Sequence, residues 1–118
     1  EATYVHKLTE DDLRLNWEEP TLSLYNRIRA FDPFPGARTY LNGEIFKVWA
    51  ARTTEEWFGL EAAEPGTIGA FAKEAGGLPV RTGDGALLLT EIQSPGKRRL
   101  PVKQFLAGNP LPPGLILG

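Results

Sequence analysis

The segment best equipped for chemistry is Ser94-Pro95-Gly96-Lys97-Arg98-Arg99, three consecutive cations on a turn that Pro and Gly would present outward. Lysine supplies a compact point charge and arginine a planar fork of donors, and both suit phosphate oxygens. Each phosphate contact releases condensed counterions, so three or four such residues add affinity without identifying a base. A basic loop that merely solvates a small domain has the same composition, and residue chemistry alone leaves both accounts open. Lys103 lies just downstream, and Arg27, Arg29, Arg38 and Lys7 are further cations able to extend the surface. The sequence does not say whether they share its side.

Other chemistries find little support. His6 is the single histidine and has no evident partner for proton transfer. The carboxylate pairs Asp11-Asp12, Glu18-Glu19 and Glu55-Glu56 are adjacent residues that point apart on a helix or strand, so they read as solvated surface. There is no cysteine, and no run of His, Asp or Glu has metal-ligand spacing. Gly83-Asp84-Gly85 has the look of a phosphate-loop fragment, but it precedes a predicted strand instead of a helix, and a hairpin turn accounts for it better. Trp49, Trp57 and Phe58 are candidates for stacking bases, although rings in so small a domain are expected mainly in the core. No catalytic, cofactor-binding or metal-binding residue is therefore expected in this chain.

The elements that must position the basic turn follow from local signals. Pro20, with Glu18 and Glu19 before it, starts a helix in which Leu24, Ile28 and Phe31 form an i, i+4, i+7 stripe. Asp32-Pro33-Phe34-Pro35-Gly36 stops it. Asn42-Gly43 predicts a two-residue hairpin between strands 37–41 and 44–50, since both residues accept the positive φ of a type I′ turn. Phe46 and Val48 should share one face of the second strand and Ile45, Lys47 and Trp49 the other. Glycine-rich turns then separate strands at 67–72, 78–82 and 86–92. Pro101 opens a short helix with Val102, Phe105 and Leu106 on one side, ended by Gly108 before a Pro-rich tail. Short strands with such turns favour a barrel, because closure removes exposed edges. The expected fold is mainly β with short helices, a five-to-six-stranded OB-like open barrel over residues 18–118 behind an extended connector, residues 1–17.

With 118 residues, 42% hydrophobic and 24% charged, the chain suffices for one globular domain without disulfides. No apolar stretch approaches the length of a membrane span, and a cytoplasmic protein is the simplest expectation. The absence of Met and the start at Glu1 point to a fragment of a longer chain. A net charge of −2 argues against nucleic-acid binding by bulk electrostatics, but the charge is uneven. Residues 1–64 hold 7 Lys/Arg against 12 Asp/Glu, whereas residues 92–118 hold Lys97, Arg98, Arg99 and Lys103 and no acid.

Three stretches resemble the methionyl-tRNA formyltransferase family, in the family's order. Leu15-Asn16-Trp17 with Pro20, then Ile28-Arg29-Ala30-Phe31-Asp32-Pro33-Phe34-Pro35-Gly36-Ala37, is similar to its hydrophobic-Asp/Asn-Trp motif and I-R-A-F-N-P-W-P-G-A helix exit. Pro65-Gly66-Thr67-Ile68 follows. Thr82-Gly83-Asp84-Gly85-Ala86-Leu87, Gln93-Ser94-Pro95-Gly96-Lys97-Arg98-Arg99-Leu100 and Gln104-Phe105-Leu106-Ala107-Gly108 resemble the C-terminal segment Q-x-P-G-K-[KR]-x-[ML] and closing helix. The resemblance implies a C-terminal domain that is inactive alone and follows a Rossmann-type catalytic domain using 10-formyltetrahydrofolate. It also implies that initiator methionyl-tRNA is the partner, in translation initiation, with Lys97, Arg98 and Arg99 facing the RNA. The acidic residues Glu10, Asp11, Asp12, Glu18 and Glu19 in or beside the connector are a departure, at odds with close approach to phosphate there. Two other readings stand beside this one. One is a scaffold domain of formyltetrahydrofolate dehydrogenase or of a sugar-nucleotide formyltransferase. The other is an independent OB-type binding module.

Overall fold

The computed structural model describes residues 10–118. The elements run α1 (Glu10–Leu13), α2 (Thr21–Ala30), β1 (Ala37–Leu41), β2 (Glu44–Thr53), β3 (Leu78–Arg81), β4 (Ala86–Gln93), β5 (Arg99–Pro101) and α3 (Val102–Gly108). All five strands form one antiparallel sheet in the order β1-β2-β4-β3, with β5 pairing the end of β4 on the edge opposite β2, past the end of β3.

The Asn42-Gly43 hairpin forms as its residues require, with φ of 53° and 82° and Leu41 opposite Glu44. Along β1 the alternation buries Ala37, Thr39 and Leu41. On β2, Val48 enters the core with Phe46 packed beside it. The pairing with β4 skips Trp49 on one strand and Thr90 on the other. Trp49 lies in this irregularity and is also buried, on the far side of the strand from Val48.

α2 packs across β2 and β4, burying Leu24 and Ile28 with Tyr25 and Phe31 at the margin. Its helical residues begin at Thr21 and end at Ala30, where Phe31 leaves the helix as the following prolines demand. Burial of such a stripe is what keeps a ten-residue helix formed, since helices this short are marginal alone.

The third strand and the tail depart from the sequence expectation, and a short β5 takes the fifth place in the sheet. The expected strand 67–72 is only three isolated bridges, Thr67 with Ile116, Ile68 with Val80 and Ala72 with Gly77. Gly69 approaches Pro79 and Leu60 closely, and the chain turns at 72–77 before a ladder can extend. The tail, in turn, is structural. Ile68 N–H donates to the Leu115 carbonyl at 2.9 Å and Leu117 N–H to Gly66 at 2.8 Å, while Tyr40 and Gly118 exchange two bonds of 2.8 Å. Residues 66–69 and 114–118 thus bridge the open side of the half-barrel from β3 back to β1, with Leu117 in the core. The end of the connector packs against the barrel. Leu13, Leu15 and Trp17 are buried, Leu15 N–H bonds the Arg38 carbonyl at 2.7 Å, and Trp17 Nε1 donates to Thr39 Oγ1 at 3.0 Å. Residues 13–17 therefore dock on the barrel. His6 and Lys7 lie outside the described residues.

Candidate nucleic-acid interface

The β4–β5 turn spans residues 94–98, with Lys97 N–H bonded to the Ser94 carbonyl at 3.1 Å. Lys97 and Arg98 are exposed, and among the described residues neither has an ion-pair partner. Only these two of the three expected cations stand on the turn. Arg99 already belongs to β5, opposite Gln93, and its side chain reaches back over the sheet.

There its guanidinium is held on three sides. Nε and Nη2 donate to the two carboxylate oxygens of Glu91, each at 2.8 Å, and Nη1 reaches Asp32 Oδ1 at 3.2 Å. The guanidinium carbon lies 4.4 Å from the centre of the Trp49 ring. This fork matches a carboxylate in a way that a lysine ammonium would not. Hydrogen bonding from Arg99 lowers the Glu91 pKa against the opposing effect of burial, and the same bond raises that of Arg99.

Around this clamp the neighbouring segments are fixed together. Trp49 Nε1 donates to Gln93 Oε1 at 2.7 Å, and the Gln93 amide donates to the Lys97 carbonyl. Lys47 Nζ sits 5.7 Å from the Trp49 ring centre. Gly36 lies so close that a Cβ there would be 2.9 Å from Trp49 Cη2. The turn carrying Lys97 and Arg98 is consequently tied to the loop between α2 and β1, which carries Asp32 and Gly36.

The other candidate cations divide by exposure. Arg29, in the last turn of α2, is exposed and stacks 5.1 Å from the Tyr25 ring centre. Lys103 is exposed on α3. Arg27 is half-buried, donating to the Asp12 carbonyl at 2.8 Å, and Arg38 is half-buried on β1, donating to the Pro35 carbonyl at 3.4 Å. Asp32, Glu91, Trp49 and Gln93 were not singled out as partners of the basic turn. The first contact joins residues 67 positions apart, which no local pattern reports.

Elsewhere the polar groups serve the fold. Gly83-Asp84-Gly85 is the β3–β4 hairpin turn, and Asp84 Oδ1 accepts from Thr21 N–H at 2.9 Å, capping α2 from a distant segment. Trp57 lies under Arg81, 4.8 Å from its guanidinium carbon, and Phe58 is half-buried. Among the described residues, no group of three His, Cys, Asp or Glu stands together to hold a metal, and no helix is long and apolar enough to cross a membrane.

The model of the formyl transferase C-terminal domain matches residues 7–110. This chain belongs to that family. The formyl transferase C-terminal domain here is 43% identical over 113 residues to a methionyl-tRNA formyltransferase of Paraburkholderia phymatum, covering 96% of the chain and 33% of that protein. It is 45% identical over 108 residues to that of Alcanivorax borkumensis, covering 92% of the chain and 32% of the relative. The chain thus spans about a third of the length of the curated relatives it matches. Among solved structures, HypX from Aquifex aeolicus in complex with tetrahydrofolic acid superposes with a TM-score of 0.68 at 26% identity, over 85% of this chain and 17% of that one. The motif resemblance and the OB-like half-barrel expected of a formyl transferase C-terminal domain are both borne out.

Proposed function

We propose that this domain is the C-terminal part of a cytoplasmic methionyl-tRNA formyltransferase, where it helps to hold initiator methionyl-tRNA. A preceding Rossmann-type catalytic domain transfers the formyl group from 10-formyltetrahydrofolate. The domain supplies positive surface and no reacting group. The observation that carries this reading is the pair Lys97 and Arg98, exposed and unneutralised on a turn whose base is fixed by hydrogen bonds and an ion-pair clamp. Arg29 and Lys103 add exposed charge, and the named relatives at 41–45% identity favour this reading over a scaffold domain of another formyl-folate enzyme. Fold alone does not separate the two, since HypX shares it. Arg99 acts in this reading as the anchor of the turn.

The test is binding of initiator methionyl-tRNA to the full-length protein and to its K97A/R98A variant across a salt series. Loss of two phosphate contacts lowers the salt slope by about two and weakens binding roughly 10- to 30-fold at 0.15 M salt. An unchanged slope removes these residues from RNA binding and leaves the scaffold reading.

A further inference from the structure

Phe34 is 81% exposed, the most exposed large apolar side chain among the described residues. Its setting is not that of a loose loop tip. Pro33 and Pro35 flank it and restrict the backbone on both sides. Two residues before it Asp32 is held by Arg99, and two residues after it Gly36 packs on Trp49 and bonds the Phe31 carbonyl at 2.9 Å. Among the described residues none covers the ring, so its display contributes little burial to folding. A bulky ring kept in water on a braced segment is preorganised for a ligand, with little ordering left to be lost on binding.

The chemistry around it selects the ligand class. The Arg99–Asp32 contact joins this loop to the turn bearing Lys97 and Arg98, and Arg29 stands in the helical turn just before it. Asp32, the one carboxylate in the loop, is already engaged by Arg99. The other exposed large apolar residues, Leu22 in the first turn of α2 and Ile116 in the tail, belong to other segments, so Phe34 is not part of an apolar patch of the size that docks a protein. A single π face on a segment bordered by cations fits a flat base carried on a phosphate backbone.

We infer that Phe34 is a stacking platform for an unpaired nucleotide of the RNA whose phosphates are held by Lys97 and Arg98, an inference that rests on the function proposed above. The phosphate contacts set position, and the ring adds a salt-independent contact that a regular duplex, with its bases already stacked, does not offer. The domain thereby distinguishes an RNA with an accessible base from a plain helix.

The test again uses the full-length protein and initiator methionyl-tRNA. F34A is expected to weaken binding about 5- to 100-fold with no change in salt slope, because stacking is lost and no phosphate contact is. F34L, apolar but without a π face, binds as weakly as F34A. F34W binds like the parent, and its additional emission is quenched at saturation. All three unfold at the parental temperature, as expected for a solvent-exposed position. F34A within twofold of the parent, F34L at parental affinity, or no quenching in F34W overturns the stacking role. A silent F34A beside a reduced slope in K97A/R98A sinks the ring alone, whereas an unchanged slope in K97A/R98A sinks the reading beneath it.

Discussion

The two turns that bound β4 are each tied to an end of α2 by one aspartate, and they do opposite things with their polar groups. At the start of β4, Asp84 caps the helix at Thr21, Thr21 and Thr82 hydroxyls meet at 2.7 Å, and Gly85 N–H bonds Thr82 Oγ1 at 3.0 Å. Charge and donors there are consumed locally. At the end of β4, Arg99 satisfies Asp32 and Glu91, while Lys97 and Arg98 remain in solvent with Phe34 on the adjoining loop. The same architectural device, a turn pinned to a helix end, thus serves stability at one end. At the other it holds surplus charge at a defined place.

The largest effect expected from breaking the first end is at Gly83. A Cβ there would lie 2.1 Å from the Glu18 carbonyl oxygen and 3.0 Å from that of Glu19, contacts with backbone that no rotamer relieves. G83A should destabilise the domain by about 3 kcal/mol, read by denaturant unfolding. The salt slope of RNA binding by the protein that remains folded should not change. A coupled loss of slope would mean that the two ends are not separate in function.

A smaller loss is expected at the cap. D84A leaves the Thr21 N–H at the start of α2 without its side-chain acceptor and should cost about 1 kcal/mol. The hydrogen bond from Thr21 N–H holds the Asp84 pKa below its ordinary value of 3.8. Asp84 therefore stabilises the fold fully above that value and loses its contribution as pH falls through the depressed one. Urea midpoints of parent and D84A should converge on acidification below pH 3.8. A difference that stays constant into that range would show that the carboxylate charge is not what caps the helix.

The fold was legible wherever residues a few positions apart decide the backbone. Asn42-Gly43 fixes its own turn, Leu24 and Ile28 define the buried stripe, and Pro33 ends the helix whatever surrounds it. What the sequence did not disclose depends on partners far along the chain. Asp84 and Thr21 are 63 positions apart, and residues 114–118 look like a plain Pro-rich tail until Gly66 and Tyr40 supply the matching backbone groups. The strand expected at 67–72 fails for the complementary reason, since its apolar residues suit a strand but Gly69 and the turn at 72–77 break the ladder. In the candidate site, charge density marked the right turn, but composition could not separate an arginine committed to carboxylates from a lysine left in water.

That separation is sharpest at Arg99, where the expected change in stability is the smallest. R99A removes a half-exposed ion-pair cluster and its stacking on Trp49, and surface pairs of this kind contribute below about 1 kcal/mol. If Arg99 anchors the turn, R99A should weaken RNA binding while the salt slope keeps its parental value, and R99K should not restore affinity, because an ammonium cannot reproduce the two-pronged contact with Glu91. If Arg99 instead contacts phosphate, R99A lowers the slope by about one and R99K recovers most of the binding. Acid provides an independent handle. Arg99 keeps the Glu91 pKa below its ordinary 4.5, so the clamp is complete above that pH and fails as pH falls through the lowered value. The acid-side loss of stability that belongs to Glu91 should be present in the parent and absent in R99A, since Arg99 supplies what lowers that titration while burial and Asp32 raise it.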